Sequence, residues 1–155
     1  MSLRSALLAA AVLLFVLAIA WPHGSSSRGL YHADPTRTPG VLNPDVTQAT
    51  IGSTICAHGW TRTIRPPTSY TNALKEKQMR AYGVGGSLSD YQEDHLISLE
   101  LGGHPTDPRN LWPEPYPRAA EVDAIENDLN AKVCAGAMSL EAAQLEESQL
   151  KHADG

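Results

Sequence analysis

The chain has 155 residues, of which 42% are hydrophobic and 19% charged, a balance that favours one globular domain and argues against a fully disordered chain. Its 17 acidic residues outnumber 12 basic ones, giving a net charge of -5. This acidic excess excludes a protein that coats nucleic acid through bulk charge, so any contact with a phosphate backbone must be local.

The N-terminal segment is typical of export. One positive charge at Arg4 precedes an apolar run from Ala6 to Trp21, which is short for a membrane-spanning helix of about 20 residues. The sequence Ala18-Ile19-Ala20 offers the small-x-small pattern after which a signal peptidase cleaves. We therefore predict that residues 1–20 form a signal peptide in preference to a retained membrane anchor. The rest of the chain would then work outside the cytoplasm, secreted or in the cell envelope, and would meet a membrane only through an uncleaved N-terminal segment.

The two cysteines, Cys56 and Cys134, form no C-x-x-C motif. In an oxidising compartment an isolated even pair indicates one disulfide bond. Two buried free thiols are the alternative. A zinc site is less favoured, because no histidine stands at zinc-finger spacing from either cysteine.

Local composition divides the remaining chain into a linker and a domain. Residues 21–37 carry the run His-Gly-Ser-Ser-Ser-Arg-Gly and are predicted to form a flexible linker. The folded domain is expected to span residues 38–155. Within it, apolar residues at helical spacing predict a short helix from Asp45 to Cys56. A second helix is predicted from Tyr70 to Tyr82, where the glycine cluster at 83–86 ends it.

Positive charge is concentrated between the first cysteine and the glycine cluster. Glu76 is the only acid there, against five basic residues: Arg62, Arg65, Lys75, Lys77 and Arg80. The segment Arg62–Arg80 is therefore a candidate for contact with phosphate groups, and ordinary solvated helix faces are the alternative interpretation. From Glu114 onward acidic residues predominate and would repel a phosphate backbone.

The segment from Tyr91 to Pro115 holds most of the residues suited to chemistry. In residues 96–101, positions 96, 98 and 100, which include a serine and a glutamate, alternate with the wholly apolar positions 97, 99 and 101. This alternation predicts a strand that turns at Gly102-Gly103. Asp94 and His95 are adjacent in the sequence, so their side chains would point to opposite faces within a strand. At a bend or a strand end, both can approach one site.

Two helices are predicted after this segment. One begins near Pro117, because proline suits the first turn of a helix. The other runs from about Ser139, a capping residue, to Lys151. Three of its residues are expected to face inward: Leu140, Ala143 and Leu145.

Three short motifs in this region resemble those of the HNH, or ββα-metal, nucleases. They are Asp94-His95 followed by a hydrophobic run, then Gly102-Gly103, and then Asn110-Leu111 before a helix. The wider sequence is also similar to small exported bacterial proteins of HNH type. The resemblance implies an α+β fold with a ββα-metal hairpin–helix core, additional flanking helices and one disulfide.

The resemblance also assigns chemical roles. It implies that His95 is the general base, Asp94 a metal ligand, and Asn110 the residue that fixes the loop and the imidazole through hydrogen bonds. A neutral histidine takes a proton from water, and a divalent cation, Mg²⁺ or Mn²⁺ here, stabilises the phosphate oxygens. A pKa near 6.5, usual for an imidazole, suits that base role.

The resemblance breaks at the third metal ligand, which these nucleases usually supply as a His or Asn further along the helix. The predicted helix instead carries Asp123, Glu126, Asn127 and Asn130 on one face. Asp123 or Asn127 is the candidate to complete an oxygen-rich site for Mg²⁺ or Mn²⁺. A solvated polar face is the alternative.

Two classes of function follow from the sequence. The favoured one is an exported, metal-dependent HNH-type endonuclease that hydrolyses phosphodiester bonds, with DNA in preference to RNA as its partner. The alternative is a non-catalytic, degenerate HNH-fold module for binding or structure, which the acidic surface and the missing third ligand favour. The sequence indicates no oligomeric state.

Overall fold

Four α-helices and a two-stranded sheet build the fold within residues 32–154, the part of the chain that the computed structural model describes. The predicted signal peptide or anchor, residues 1–20, lies outside these residues. In chain order the elements are α1 (Trp60–Ile64), α2 (Thr68–Tyr82), β1 (Tyr91–His95), β2 (Leu111–Pro115), α3 (Arg118–Cys134) and α4 (Leu140–Ala153). This mixture of helices and a small sheet is an α+β arrangement. Among the described helices, none has the length and apolar character needed to cross a membrane.

The two strands pair antiparallel and are joined by a long connection. Tyr91 lies opposite Pro115, and His95 lies opposite Leu111. The connecting residues 96–110 contain two short 3-10 turns and no strand. The strand predicted over residues 96–101 is therefore wrong. The side chains at even and at odd positions of this segment are both almost wholly buried. The segment passes through the core without forming a strand, whereas a strand with alternating residue types would have one face in solvent.

Three predicted helices are confirmed, with small differences in their bounds. α2 ends at Tyr82 and is followed by Gly83, whose φ of 67° lies in the left-handed region that glycine adopts without strain. α3 begins at Arg118, immediately after the predicted proline. The side chain of Ser139 caps α4 by accepting a hydrogen bond from the backbone N–H of Ala142 at 3.2 Å.

The helix predicted from Asp45 to Cys56 is wrong. The segment consists of turns with one 3-10 turn at Ile51–Ser53. The hydroxyl of Thr50 accepts a hydrogen bond from the Thr47 N–H at 2.8 Å and donates one to the Asp45 carbonyl at 2.8 Å. Such local side-chain bonds give the backbone an alternative to helical pairing, which explains why the apolar spacing did not produce a helix.

The inward face of α4 also differs from its prediction. Leu140 and Ala143 are buried as expected, but Leu145 is 57% exposed. Further along the helix, the inward positions are taken by Glu147 and Lys151, which are both fully buried. The helix therefore places two ionisable side chains in the interior, while the leucine predicted to face inward lies at the surface.

A disulfide bond joins Cys56 to Cys134 and so ties the loop before α1 to the last residue of α3, as predicted. The main hydrophobic core packs beside it, and its buried members are Val46, Ile55, Ile97, Leu101, Leu129, Val133, Leu140 and Ala143. A smaller cluster surrounds Trp112 on β2, which is fully buried. The main cluster packs the 96–110 connection against α3 and α4, and the smaller cluster packs Leu96 against Trp112.

The folded region begins before the boundary predicted at residue 38. Ala33 is fully buried, and its N–H donates a hydrogen bond to the Lys151 carbonyl at 2.8 Å. The Tyr82 hydroxyl lies 3.2 Å from the Asp34 N–H and 2.6 Å from the Thr38 hydroxyl. Ala33 and Asp34 of the predicted linker thus contact the domain, because their backbone N–H groups find hydrogen-bond acceptors there, whereas residues 35–37 are exposed. The rest of the predicted linker lies outside the described residues.

Candidate active site

A cavity of about 470 Å³ is lined by the end of β1, by α3 and by the turn between α1 and α2. Four of the predicted site residues line it: Asp94, His95, Asp123 and Asn127. His95 is the last residue of β1. This position at a strand end lets two adjacent side chains reach one site, which is one of the two arrangements that the sequence left open.

The imidazole of His95 is held in one orientation. It is only 6% exposed, and its Nε2 lies 3.0 Å from the carbonyl oxygen of Pro105. A carbonyl can only accept, so Nε2 carries the proton and Nδ1 is left with a lone pair. No residue of 32–154 donates a hydrogen bond to that Nδ1. Burial lowers the pKa of His95 although the nearby Asp94 opposes the shift, so the ring is neutral at physiological pH.

Asn110 organises the connection between the strands. Its Oδ1 accepts from the Ile97 N–H at 3.0 Å, and its Nδ2 donates to the carbonyls of Ile97 at 3.0 Å and His104 at 3.1 Å. The amide therefore fixes both sides of the loop that carries Pro105. The imidazole itself is hydrogen-bonded to Pro105 and not to Asn110. Asn110 therefore positions the imidazole indirectly, by fixing the loop that carries Pro105.

Asp94 lies in an ion pair with a lysine from the C-terminal helix. Its Oδ2 is 2.7 Å from Nζ of Lys151, and its Oδ1 accepts from Gln92 Nε2 at 3.2 Å. Burial alone would raise the pKa of Asp94, but the Lys151 ammonium holds it well below its usual value. The carboxylate is therefore charged throughout the physiological range.

Three more buried carboxyl groups surround the same lysine: Glu114 on β2, Glu126 on α3 and Glu147 on α4. Burial raises the pKa of Glu114 and of Glu126 to about 9, and that of Glu147 to about 7. Asp94 adds to each shift by repulsion, whereas Lys151 opposes it. At neutral pH most of these groups hold a proton, so the cluster buries little net charge.

Sequence reasoning missed three members of this cluster. Glu147 and Lys151 stand four residues apart and look like an ordinary surface pair on a helix. Glu114 lies between two prolines in the sequence LWPEP, where a charged residue in an otherwise apolar strand was the one available signal.

We expect Glu114→Gln to weaken the pH dependence of stability. The pKa of Glu114 rises from 4.5 to about 9 on folding. Its stabilising contribution is therefore complete below pH 4.5 and is lost as the pH rises towards 9, at no more than about 1.4 kcal/mol per pH unit. Glutamine imitates the protonated group and does not titrate. Urea denaturation at pH 6 and pH 8.5 should show a smaller loss for the variant than for wild type.

The matched control for that prediction is Glu141→Gln, because Glu141 is exposed in the first turn of α4. It should lose stability in parallel with wild type. If Glu114→Gln also runs parallel to wild type, Glu114 does not hold an extra proton in the folded state.

Three carboxylates of the site could hold a metal ion. Asp94, Asp123 and Glu126 each offer one ligand oxygen, and these oxygens all lie within 4.8 Å of one another. Glu126 was placed on the correct helix face by its spacing but was not selected as a ligand. Asn127 is exposed, and its Nδ2 donates to the backbone carbonyl of Asp123 at 2.6 Å. The geometry therefore groups Glu126 with the two aspartates.

The basic segment Arg62–Arg80 does not present one uniform charged face. Lys75 is buried and donates to the Tyr91 carbonyl at 2.7 Å, and Arg80 pairs with Glu76 at 2.9 Å. Arg65 is exposed and lines the cavity. Of the five basic residues in this segment, Arg65 is thus the one placed to meet a group bound beside His95.

Comparisons of the chain with protein-family models, with curated proteins and with solved structures found no match.

Proposed function

We propose that the protein is an exported, metal-dependent HNH-type endonuclease that hydrolyses phosphodiester bonds. The observation that supports this best is the arrangement of His95, a neutral imidazole with a lone pair on Nδ1, in one cavity with the carboxyl groups of Asp94, Asp123 and Glu126. A base and a set of cation-binding oxygens are what phosphodiester hydrolysis requires. The order of β1, β2 and α3 adds support, because the Asp-His pair ends the first strand and the other carboxylates lie on the following helix.

In this proposal His95 is the general base. Nδ1 accepts the proton that water loses as its oxygen attacks phosphorus, and the ring becomes an imidazolium. The Pro105 carbonyl, bonded to the Nε2 proton at 3.0 Å, keeps the tautomer correct and favours the charged ring as it forms. Asn110 maintains this geometry by holding the loop on both sides.

The donor set fits a hard divalent cation such as Mg²⁺ or Mn²⁺, because all three candidate ligands offer carboxyl oxygens and a bound cation would displace the proton that Glu126 holds at neutral pH. The Lys151 ammonium, itself a cation, already lies against two of them. Asp94, Asp123 and Glu126 would hold the ion. When bound, it would supply stabilisation of negative charge on the phosphate oxygens and on the departing oxygen.

The proposed partner is nucleic acid, with DNA ahead of RNA. Arg65 would contact a phosphate beside His95, since a guanidinium binds phosphate through two parallel hydrogen bonds. From Glu114 onward acidic residues predominate, so contact with the phosphate backbone would be confined to the part of the surface near Arg65. The apolar N-terminal run supports a secreted or cell-envelope location, with membrane contact only if that run is retained.

The experiment that tests the proposal is cleavage of plasmid DNA and of RNA by the oxidised protein in Mg²⁺, in Mn²⁺ and in EDTA. We expect cleavage with either metal and none in EDTA.

Arg65→Ala should raise KM about tenfold, on the order of one charge-assisted hydrogen bond. Lys77→Ala is the matched control, because Lys77 is exposed in the same basic segment but does not line the cavity. An equal change in KM for both variants would show that Arg65 makes no specific contact with the substrate.

A non-catalytic module of the same fold is the second candidate. Lys151 favours it, since the ammonium already neutralises Asp94 and contacts Glu126. Nucleic-acid binding without cleavage in Mg²⁺ or Mn²⁺ would decide for this module and against the nuclease.

A further inference from the structure

Lys151 is fully buried, and every one of its ammonium protons has an acceptor. Nζ donates to Asp94 Oδ2 at 2.7 Å, to Glu126 Oε1 at 2.5 Å and to the His95 backbone carbonyl at 2.5 Å. A lysine with three donors and three buried acceptors is fixed in position. It brings one positive charge to the inner side of the carboxylate cluster.

Two of these three acceptors belong to side chains that would also bind the metal ion. Oxygens of Asp94, Glu126 and Asp123 lie within 4.8 Å of one another, so an ion bound among them would lie close to the ammonium. Like charges at such separations repel strongly in a buried site, where the effective dielectric constant is far below that of water. The lysine and the ion therefore cannot both interact fully with the same two carboxylates.

We propose that Lys151 is an internal cation that competes with a divalent ion for Asp94 and Glu126, and so sets the metal affinity of the site. The proposal rests on the ligand assignment of the proposed function. Lys151 is also a positioning residue for the end of β1, because its Nζ donates hydrogen bonds to both the Asp94 carboxylate and the His95 carbonyl.

The position of the lysine is fixed by the C-terminal part of α4. The Lys151 carbonyl accepts the N–H of Ala33, so the chain before the domain packs on this last turn. One helical turn earlier, Glu147 places Oε1 at 3.5 Å from Nζ and accepts the Ser98 N–H at 2.9 Å. The ammonium is thus held in place by a helix that is anchored at Lys151 and at Glu147.

The test measures Mn²⁺ binding by electron paramagnetic resonance of the unbound ion, with the full folded domain and no nucleic acid present. Lys151→Met removes the charge and keeps a side chain of similar length. We expect its Kd for Mn²⁺ to be at least tenfold lower than that of wild type. Lys132→Met is the matched control, since Lys132 is exposed on α3 and pairs with Asp128 at 2.6 Å. It should bind Mn²⁺ like wild type.

The outcomes separate this inference from the proposed function. Tighter Mn²⁺ binding by Lys151→Met supports competition, even if wild type binds no Mn²⁺ and the metal-dependent nuclease is thereby abandoned. Equal or weaker binding by the variant overturns competition, and leaves the nuclease standing where wild type binds the ion. If neither protein binds Mn²⁺, both proposals fail.

The folding of Lys151→Met is followed in parallel by circular dichroism with and without Mn²⁺. Because a competing ion should occupy the vacated place, a variant that is unfolded in EDTA should refold in Mn²⁺. A chain that stays unfolded in Mn²⁺ counts against competition and assigns the lysine a purely structural role.

Discussion

Replacing His95 by alanine is expected to lower kcat for phosphodiester cleavage about 10²- to 10⁴-fold, the usual contribution of a general base. The fold should survive, because the side chain makes one hydrogen bond, to Pro105, within the described residues. The contact from Lys151 is to the backbone carbonyl of His95, which alanine retains. Initial rates on plasmid DNA in Mn²⁺, together with a thermal melt, measure both effects.

His58→Ala is the control for this prediction, since His58 is exposed and does not line the cavity. It should cleave like wild type. The His95→Ala protein should also bind Mn²⁺ as wild type does, because the carboxylates remain in place. Cleavage within about threefold of wild type by His95→Ala would remove the histidine from the chemistry, since general-base catalysis contributes far more.

Among the variants proposed for this protein, removal of the disulfide should cause the largest decrease in the free energy of unfolding. Cys56 and Cys134 are separated by 78 positions in the sequence. In the loop-entropy model, opening a loop of that length costs about 4 to 4.5 kcal/mol of unfolding free energy. Urea denaturation of the double variant Cys56→Ala/Cys134→Ala measures the loss, and intact mass after alkylation should find no free thiol in oxidised wild type.

Reduction provides the control for the disulfide. A phosphine reductant should destabilise wild type to the level of the double alanine variant and leave that variant unchanged. A double variant within about 1 kcal/mol of oxidised wild type would mean that the bridge contributes little, well below the usual range.

The features predicted correctly depend on residues close together in the sequence. The helix from Thr68 to Tyr82 has local boundaries, namely prolines before it and a glycine after it. Ser139 likewise marks the start of α4 by a bond that spans three residues. The adjacency of Asp94 and His95 left two arrangements open, opposite faces of a strand or one site at a strand end, and the structure places His95 at the end of β1. Local signals of this kind are readable without knowledge of the tertiary fold.

The features that were missed depend on contacts between distant residues. Lys151 reaches Asp94 across 57 positions and Glu126 across 25 positions, and no spacing rule connects those elements. The segment 96–101 was assigned to a strand because alternation reveals residue type but not whether both sides are covered. The turns at 45–56 depended on threonine side chains whose bonds compete with a helix. In each case tertiary packing or side-chain bonding outweighed the apolar pattern.

The proposed chemistry depends first on the protonation state of His95, and nitrogen-15 NMR of the imidazole measures that state directly. We predict a neutral ring at pH 7 with its proton on Nε2, shared with the Pro105 carbonyl, and a titration midpoint below 6.5. His95→Ala identifies the resonance by its loss. A proton on Nδ1, or a ring that is charged at pH 7, would contradict the assignment of His95 as the base.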